Sequence, residues 1–199
     1  MSTAEFTALL LLCTAASFSP GPNTTLSTTL AANFGLQRAL GFVVAVPIGW
    51  GLLFSLCVFG VGAVVVAAPW LRVAIQAVGI IYLLWLAYKL AQSGVLGDAS
   101  PQPLGLTFWQ GVGLQFVNIK AWMLALTVVG GWLAGRPDLL ARFAVILPLM
   151  MLFGLASNLA YALIGSLLRQ WLAQGARLLW FNRLMATVLA ATACWMATL

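Results

Sequence analysis

Charge is what this chain has least of. Only 6% of its 199 residues are charged, with no histidine, three Asp or Glu and nine Lys or Arg. A soluble domain carries roughly 25%, so this one cannot cover a water-facing surface. The missing histidine also limits the chemistry. Cysteine is scarce: Cys13, Cys57 and Cys194 each lie in a separate apolar run, and none forms a CxxC pair. A zinc site needs clustered ligands, so neither a metal centre nor a disulfide framework is expected. The apolar interior holds no carboxylate: Glu5 is near the start, and Asp98 and Asp138 lie in connections. Without histidine, interior acid or a paired nucleophile and base, a membrane-embedded enzyme is a poor reading, and no cofactor is expected. The start lacks the basic region of a cleavable signal, carries Glu5 instead, and its apolar run exceeds signal length. It reads as a first span that stays.

Apolar runs are what the chain has. It is 63% hydrophobic, with mean hydropathy +1.07. This is an integral membrane protein, long enough for one membrane domain of several spans. A helix needs about 20 apolar residues to cross the hydrocarbon. That window gives six segments: 6–33, 39–67, 70–92, 109–133, 139–168 and 177–199. The fold class is therefore all-α, with six transmembrane helices. The net charge of +6 lies almost wholly in the short connections. That pattern reports topology rather than nucleic-acid binding.

Two segments are interrupted. Segment 1 contains Ser19-Pro20-Gly21-Pro22-Asn23-Thr24-Thr25, and segment 4 contains Gln115, Asn118 and Lys120. The two halves of the chain echo each other around these points. Segment 2 reaches Pro47 and segment 5 reaches Pro148; Arg72 precedes Gly79 as Arg183 precedes Ala190. The division is 1–92 for the first three-helix repeat, 93–108 for the connecting loop and 109–199 for the second repeat. Three spans per half is odd, so the second half enters from the opposite face, giving a 3+3 inverted repeat with helices 1 and 4 interrupted. In such folds the site lies where the two broken helices meet. Arg38, Lys89, Arg169, Arg177 and Arg183 share one face; Arg72, Arg136, Arg142 and both termini share the other. The positive-inside rule puts the first group in the cytoplasm.

Broken helix is tolerated in a membrane where it is buried in protein or lines a cavity. Ser19 suits an N-cap and Pro20 a first helical position; Pro22 loses no bond there. So 19–22 reads as the start of a second half-helix, its N–H groups and positive dipole end open to an anion. Asn23 and Thr24 add neutral hydrogen-bonding groups. The plainer alternative is a proline kink with small residues for packing. Lys120 lies deep in segment 4, where a charge costs about 2.5–3.5 kcal/mol on insertion scales. Either a substrate carboxylate meets it or it snorkels to an interface. Asn158 and Tyr161 share a helical face and either line the route or bond between helices. Pro47 and Pro148 read as paired hinges or kinks. Gly60, Gly62, Gly154 and Gly165 read as packing residues.

These motifs, in order, resemble a known family. The Ser-Pro-Gly-Pro turn is followed by Gly35-Leu36-Gln37-Arg38-Ala39-Leu40-Gly41, then Gly79-Ile80-Ile81-Tyr82-Leu83, then Phe116-Val117-Asn118-Ile119-Lys120-Ala121. Nearly the whole chain is similar to the LysE/RhtB-type amino-acid exporters. The resemblance implies a multi-pass protein of the bacterial cytoplasmic membrane, exporting an amino acid or similar small solute and coupled to the proton or ion gradient. The family's fourth-span motif is usually Asn-Pro-Lys; here Ile119 replaces the proline, which puts the local break in doubt. The asparagine and lysine are both retained, so a substrate-carboxylate role still carries over to Lys120, with Asn118 orienting the solute. The expectation is an exporter working by alternating access, with Ser19, Pro20, Gly21, Pro22, Asn23, Asn118 and Lys120 at the substrate. The alternative is a non-transporting scaffold or assembly subunit. The expected partners are the bilayer and a small amino-acid-like solute, with no nucleic acid; a homo-oligomer stays open.

Overall fold

Helical backbone bonds satisfy the main-chain groups of a helix interior without water, so an apolar chain in a membrane becomes helices. The computed structural model describes residues 1–93 and 105–198. In chain order the helices are α1 (Thr3–Phe18), α2 (Pro22–Phe34), α3 (Leu36–Val58), α4 (Val61–Ala67), α5 (Pro69–Gln92), α6 (Phe108–Val117), α7 (Ile119–Val128), α8 (Leu139–Leu172) and α9 (Arg177–Met196), with a π-helical turn at Val129–Leu133 after α7. α3, α5, α8 and α9 are each long and apolar enough to cross a membrane. Two bent pairs complete the set: α1 with α2, turned by 48°, and α6 with α7 and its π-helical turn, by 67°. The interruptions expected in segments 1 and 4 are therefore both present. Most of the expected connection 93–108, Asp98 included, lies outside the described residues.

The ends follow local rules. Ser2 and Glu5 form a capping box at the start of α1, as Thr107 and Gln110 do for α6. Pro69 occupies the first turn of α5, where a missing N–H is harmless. Segment 2 differs from its expected single helix. It breaks at Gly60, which adopts φ +113° in the left-handed region. A Cβ added there would meet nothing within 4 Å. Gly60 is thus a turn residue rather than a packing one, because a β-carbon disfavours that backbone conformation. Gly165 does pack: a Cβ there would fall 2.1 Å from the Thr28 carbonyl oxygen.

The buried apolar residues form two main layers. One draws on Leu26 and Leu30 of α2, Phe42, Val43 and Val46 of α3, Leu114 of α6 and Ala162 of α8. The other draws on Leu9 and Cys13 of α1, Trp50, Leu53 and Phe54 of α3, Ala121 and Ala125 of α7, and Met150 of α8. So α2, the second half of its span, shares a layer with α6, the first half of its own. α1, in turn, shares its layer with α7. Within the first layer α2 packs extensively on α8, and α3 on α6.

Candidate functional site

Both breaks fall at the junction of the two layers. The first is not laid out as its residues suggest. Ser19 is the C-cap of α1, with ψ 138°, and α2 begins at Pro22 behind an N-cap at Gly21. Ser19 therefore ends the first half-helix instead of opening the second, and Pro20 lies between them. The reason is that two prolines flank one glycine. Pro22 takes the first helical position, and Ser19, preceding Pro20, is driven to extended backbone. The Thr24 hydroxyl accepts from the Gly21 N–H at 3.0 Å and donates to the Gly21 carbonyl at 3.1 Å. The N-terminal N–H groups of Asn23 and Thr24 have no acceptor within their own helix.

The second break needs no proline. The Asn118 side chain accepts from the Lys120 N–H at 3.1 Å and caps α7. The indole N–H of Trp122 donates to the Phe116 carbonyl at 2.8 Å, satisfying an acceptor that the end of α6 exposes. Ile119 stands at the first helical position, where the family's proline would stand and where an N–H has no helical duty.

Lys120 joins the two breaks. Its Nζ donates to Ser19 Oγ at 2.7 Å, to the Ser19 carbonyl at 3.1 Å and to the Pro20 carbonyl at 3.4 Å. A cation is favoured at the carbonyl end of a helix, and α1 ends there. Tyr161 Oη donates to the Phe18 carbonyl at 3.0 Å, capping the same end. Gly21 allows the approach, since a Cβ would lie 3.2 Å from Nζ.

Around Lys120 a cleft encloses about 600 Å³ of non-atom space, part of it open to the outside. Ser19, Gly21, Pro22, Asn23, Thr24, Pro47, Asn118, Lys120 and Asn158 of the expected residues all line it. Pro20 and Tyr161 are not among its lining residues, and Pro148 is exposed within α8. Several of the amides there also tie helices together. Asn23 and Gln115 exchange hydrogen bonds of 2.9 and 3.0 Å between α2 and α6. Ser27 donates to Asn158 at 2.8 Å between α2 and α8. Gln115 and Ser27 were legible as polar groups in apolar spans, yet nothing in one sequence pairs them with residues in distant segments. Trp50 and Ser157 also line the cleft; an aromatic and a serine in a membrane helix carry no signal of that kind. Trp50 is buried, and its Nε1 is the one fully buried side-chain nitrogen or oxygen among the described residues that has no hydrogen-bond partner. Such a group costs about 1–3 kcal/mol. No three of His, Cys, Asp and Glu come together among the described residues.

Comparison with known proteins gives the family. A profile of the LysE type translocator family matches residues 14–199. The cysteine/O-acetylserine efflux protein of Salmonella typhimurium (strain LT2) is 30% identical over 152 residues, covering 76% of this chain and 77% of the relative. That of Klebsiella pneumoniae is 28% identical over 185 residues, covering 90% and 92%. That of Escherichia coli O1:K1 is 28% identical over 166 residues, covering 79% and 80%. No solved structure matches the chain at a significant level. With broken spans at residues 19–22 and 118–120 and a family match across nearly its whole length, the chain belongs to the LysE type translocators, multi-pass proteins of the bacterial cytoplasmic membrane.

Proposed function

We propose that this protein exports a small α-amino acid by alternating access, and that the cleft between the two breaks is its binding site. One observation carries the reading. A lysine and a helix N-terminus line the same cleft, and no carboxylate is among the lining residues. A substrate carboxylate completes that arrangement. It would displace Ser19 and Pro20 oxygens from Lys120 Nζ and take the N–H groups at the start of α2. The scaffold alternative predicts dry packing around Lys120, and an open cleft there, carrying polar side chains among its apolar lining, argues against it.

The relatives are named for efflux of cysteine and O-acetylserine, so these are the first solutes to test here. The two halves, 1–92 and 109–199, would rock against each other about Pro47, Pro148 and the Gly130-Gly131 pair. The proton or ion gradient would supply the work. Lys120→Met is expected to abolish efflux of both solutes from loaded vesicles, while Lys120→Arg keeps a measurable rate. Size-exclusion profiles report folding separately. Undiminished efflux by a folded Lys120→Met protein would sink the assignment.

A further inference from the structure

We infer that Trp50 is a substrate contact, and that its indole N–H selects amino acids with an oxygen acceptor on the side chain. The inference rests on the exporter reading and deepens it. Trp50 lines the cleft from α3, on the opposite apolar layer from Val46. Its ring is fixed by stacking on Phe54 at 4.9 Å and 13°, and Phe54 stacks in turn on Phe143. α3 itself is held close to α6, since a Cβ on Gly49 would fall 2.6 Å from the Val112 carbonyl oxygen.

The N–H thus has a fixed position and no partner. Several acceptors around the cleft are already engaged. Met150 Sδ takes the Cys13 thiol, the Gly154 carbonyl takes Ser157 and Asn158, the Ala16 carbonyl takes Ser19, and the Ser19 and Pro20 carbonyls take Lys120. An indole can only donate. A solute in the cleft can supply the missing acceptor. With the carboxylate at Lys120, the side chain is the part left to reach Trp50. An ester or hydroxyl oxygen accepts there, a thiol does so weakly, and an aliphatic chain not at all. A site built around a hydrogen bond discriminates strongly against an analogue that lacks the group.

The test uses the full-length protein in proteoliposomes, with O-acetylserine and norleucine as probes of similar length. Two variants delete the N–H: Trp50→Phe, and Trp50→3-benzothienylalanine, which replaces it with sulfur at nearly equal size. Wild-type protein is expected to show a lower KM for O-acetylserine. In the variants the norleucine-to-O-acetylserine KM ratio is expected to fall about tenfold, the worth of one hydrogen bond, with the change in KM rather than kcat. If Trp50→Phe does not fold, the benzothienyl variant decides. An unchanged ratio in that variant overturns the inference. If Lys120→Met abolishes transport of both probes while the ratio at position 50 holds, the inference alone falls. If wild-type protein carries neither probe and no cysteine either, the exporter reading falls and takes this one with it; if it carries cysteine alone, this inference falls by itself.

Discussion

Lys120 shows how a membrane interior accommodates a charge without a counter-ion. Three oxygens at the end of α1 surround its Nζ. They are dipoles rather than a formal charge, so a carboxylate can exchange with them without leaving a buried anion behind. The glycines set the distances that make this possible. Gly165 lets α8 press on the Thr28 carbonyl, and Gly79 lets α5 press on the Val117 carbonyl, where an added Cβ would fall 1.9 Å away. Gly165→Ala and Gly79→Ala are each expected to destabilise by about 1–3 kcal/mol, seen as a lower Tm in detergent. Gly113 has nothing within 4 Å of its Cβ position and lies inside α6. Gly113→Ala is expected to be neutral or stabilising by up to about 1 kcal/mol. The reverse order of the melting temperatures would refute the close-approach account.

At the scale of the element, the two breaks reach one result by different means. Span 1 is broken by two prolines and a glycine; span 4 is broken by an asparagine cap, and its bend of 67° exceeds the 48° of span 1. The doubt raised by Ile119 is thus removed, because the cap at Asn118 substitutes for the ring. Asn118→Ala is expected to cost about 1 kcal/mol, the usual worth of such a cap, and to reduce efflux. Ile119→Pro is expected to stay within about 1 kcal/mol of wild type. Position 119 has no helical N–H bond to lose, and Asn118 at φ −89°, ψ 101° has the extended backbone that a following proline demands. Melting curves and efflux rates on both variants check this. A collapse of Ile119→Pro would show that the isoleucine side chain, not the cap, sets the bend. The break at Gly60 was not foreseen, since small residues in membrane spans usually serve packing and a backbone angle leaves no mark on composition.

At the scale of the whole molecule, polar side chains tie the described helices together at two ends. Near the termini Glu5 meets Arg136 at 3.1 Å and Arg142 at 3.3 Å, and Arg142 meets Asp138 at 2.8 Å. At the other end Asn33 and Asn182 exchange hydrogen bonds of 2.9 and 3.0 Å, and Asn182 donates to the Ser93 carbonyl at 3.0 Å. Alternating access would loosen these ties in turn. The charged tie is sensitive to acid. The hydrogen bond from Arg142 holds the Asp138 carboxyl below its usual value of 3.8. A depressed carboxylate contributes stability above its unfolded pKa and loses it as the pH falls through its folded one. Thermal stability is therefore expected to be level between about pH 7 and pH 5 and to decline below about pH 4. Asp138→Asn is expected to lower the plateau and shrink that decline. An identical pH profile in wild type and Asp138→Asn would remove the carboxylate from the account.

The residues alone determined that this is a helical membrane protein interrupted near residues 20 and 119. Hydrophobic length is a local property, and prolines or a lysine inside such a run stand out against it. The order of motifs carried the family resemblance for the same reason. Only the tertiary structure decided what the interruptions do. It moved Ser19 from the start of α2 to the end of α1, placed Lys120 against it, paired Asn23 with Gln115 and brought Trp50 into the same cleft. Those contacts join residues about a hundred positions apart or set a ring against a cavity. They depend on where helices cross, which the close approaches at Gly49, Gly79 and Gly165 settle and a linear pattern does not record.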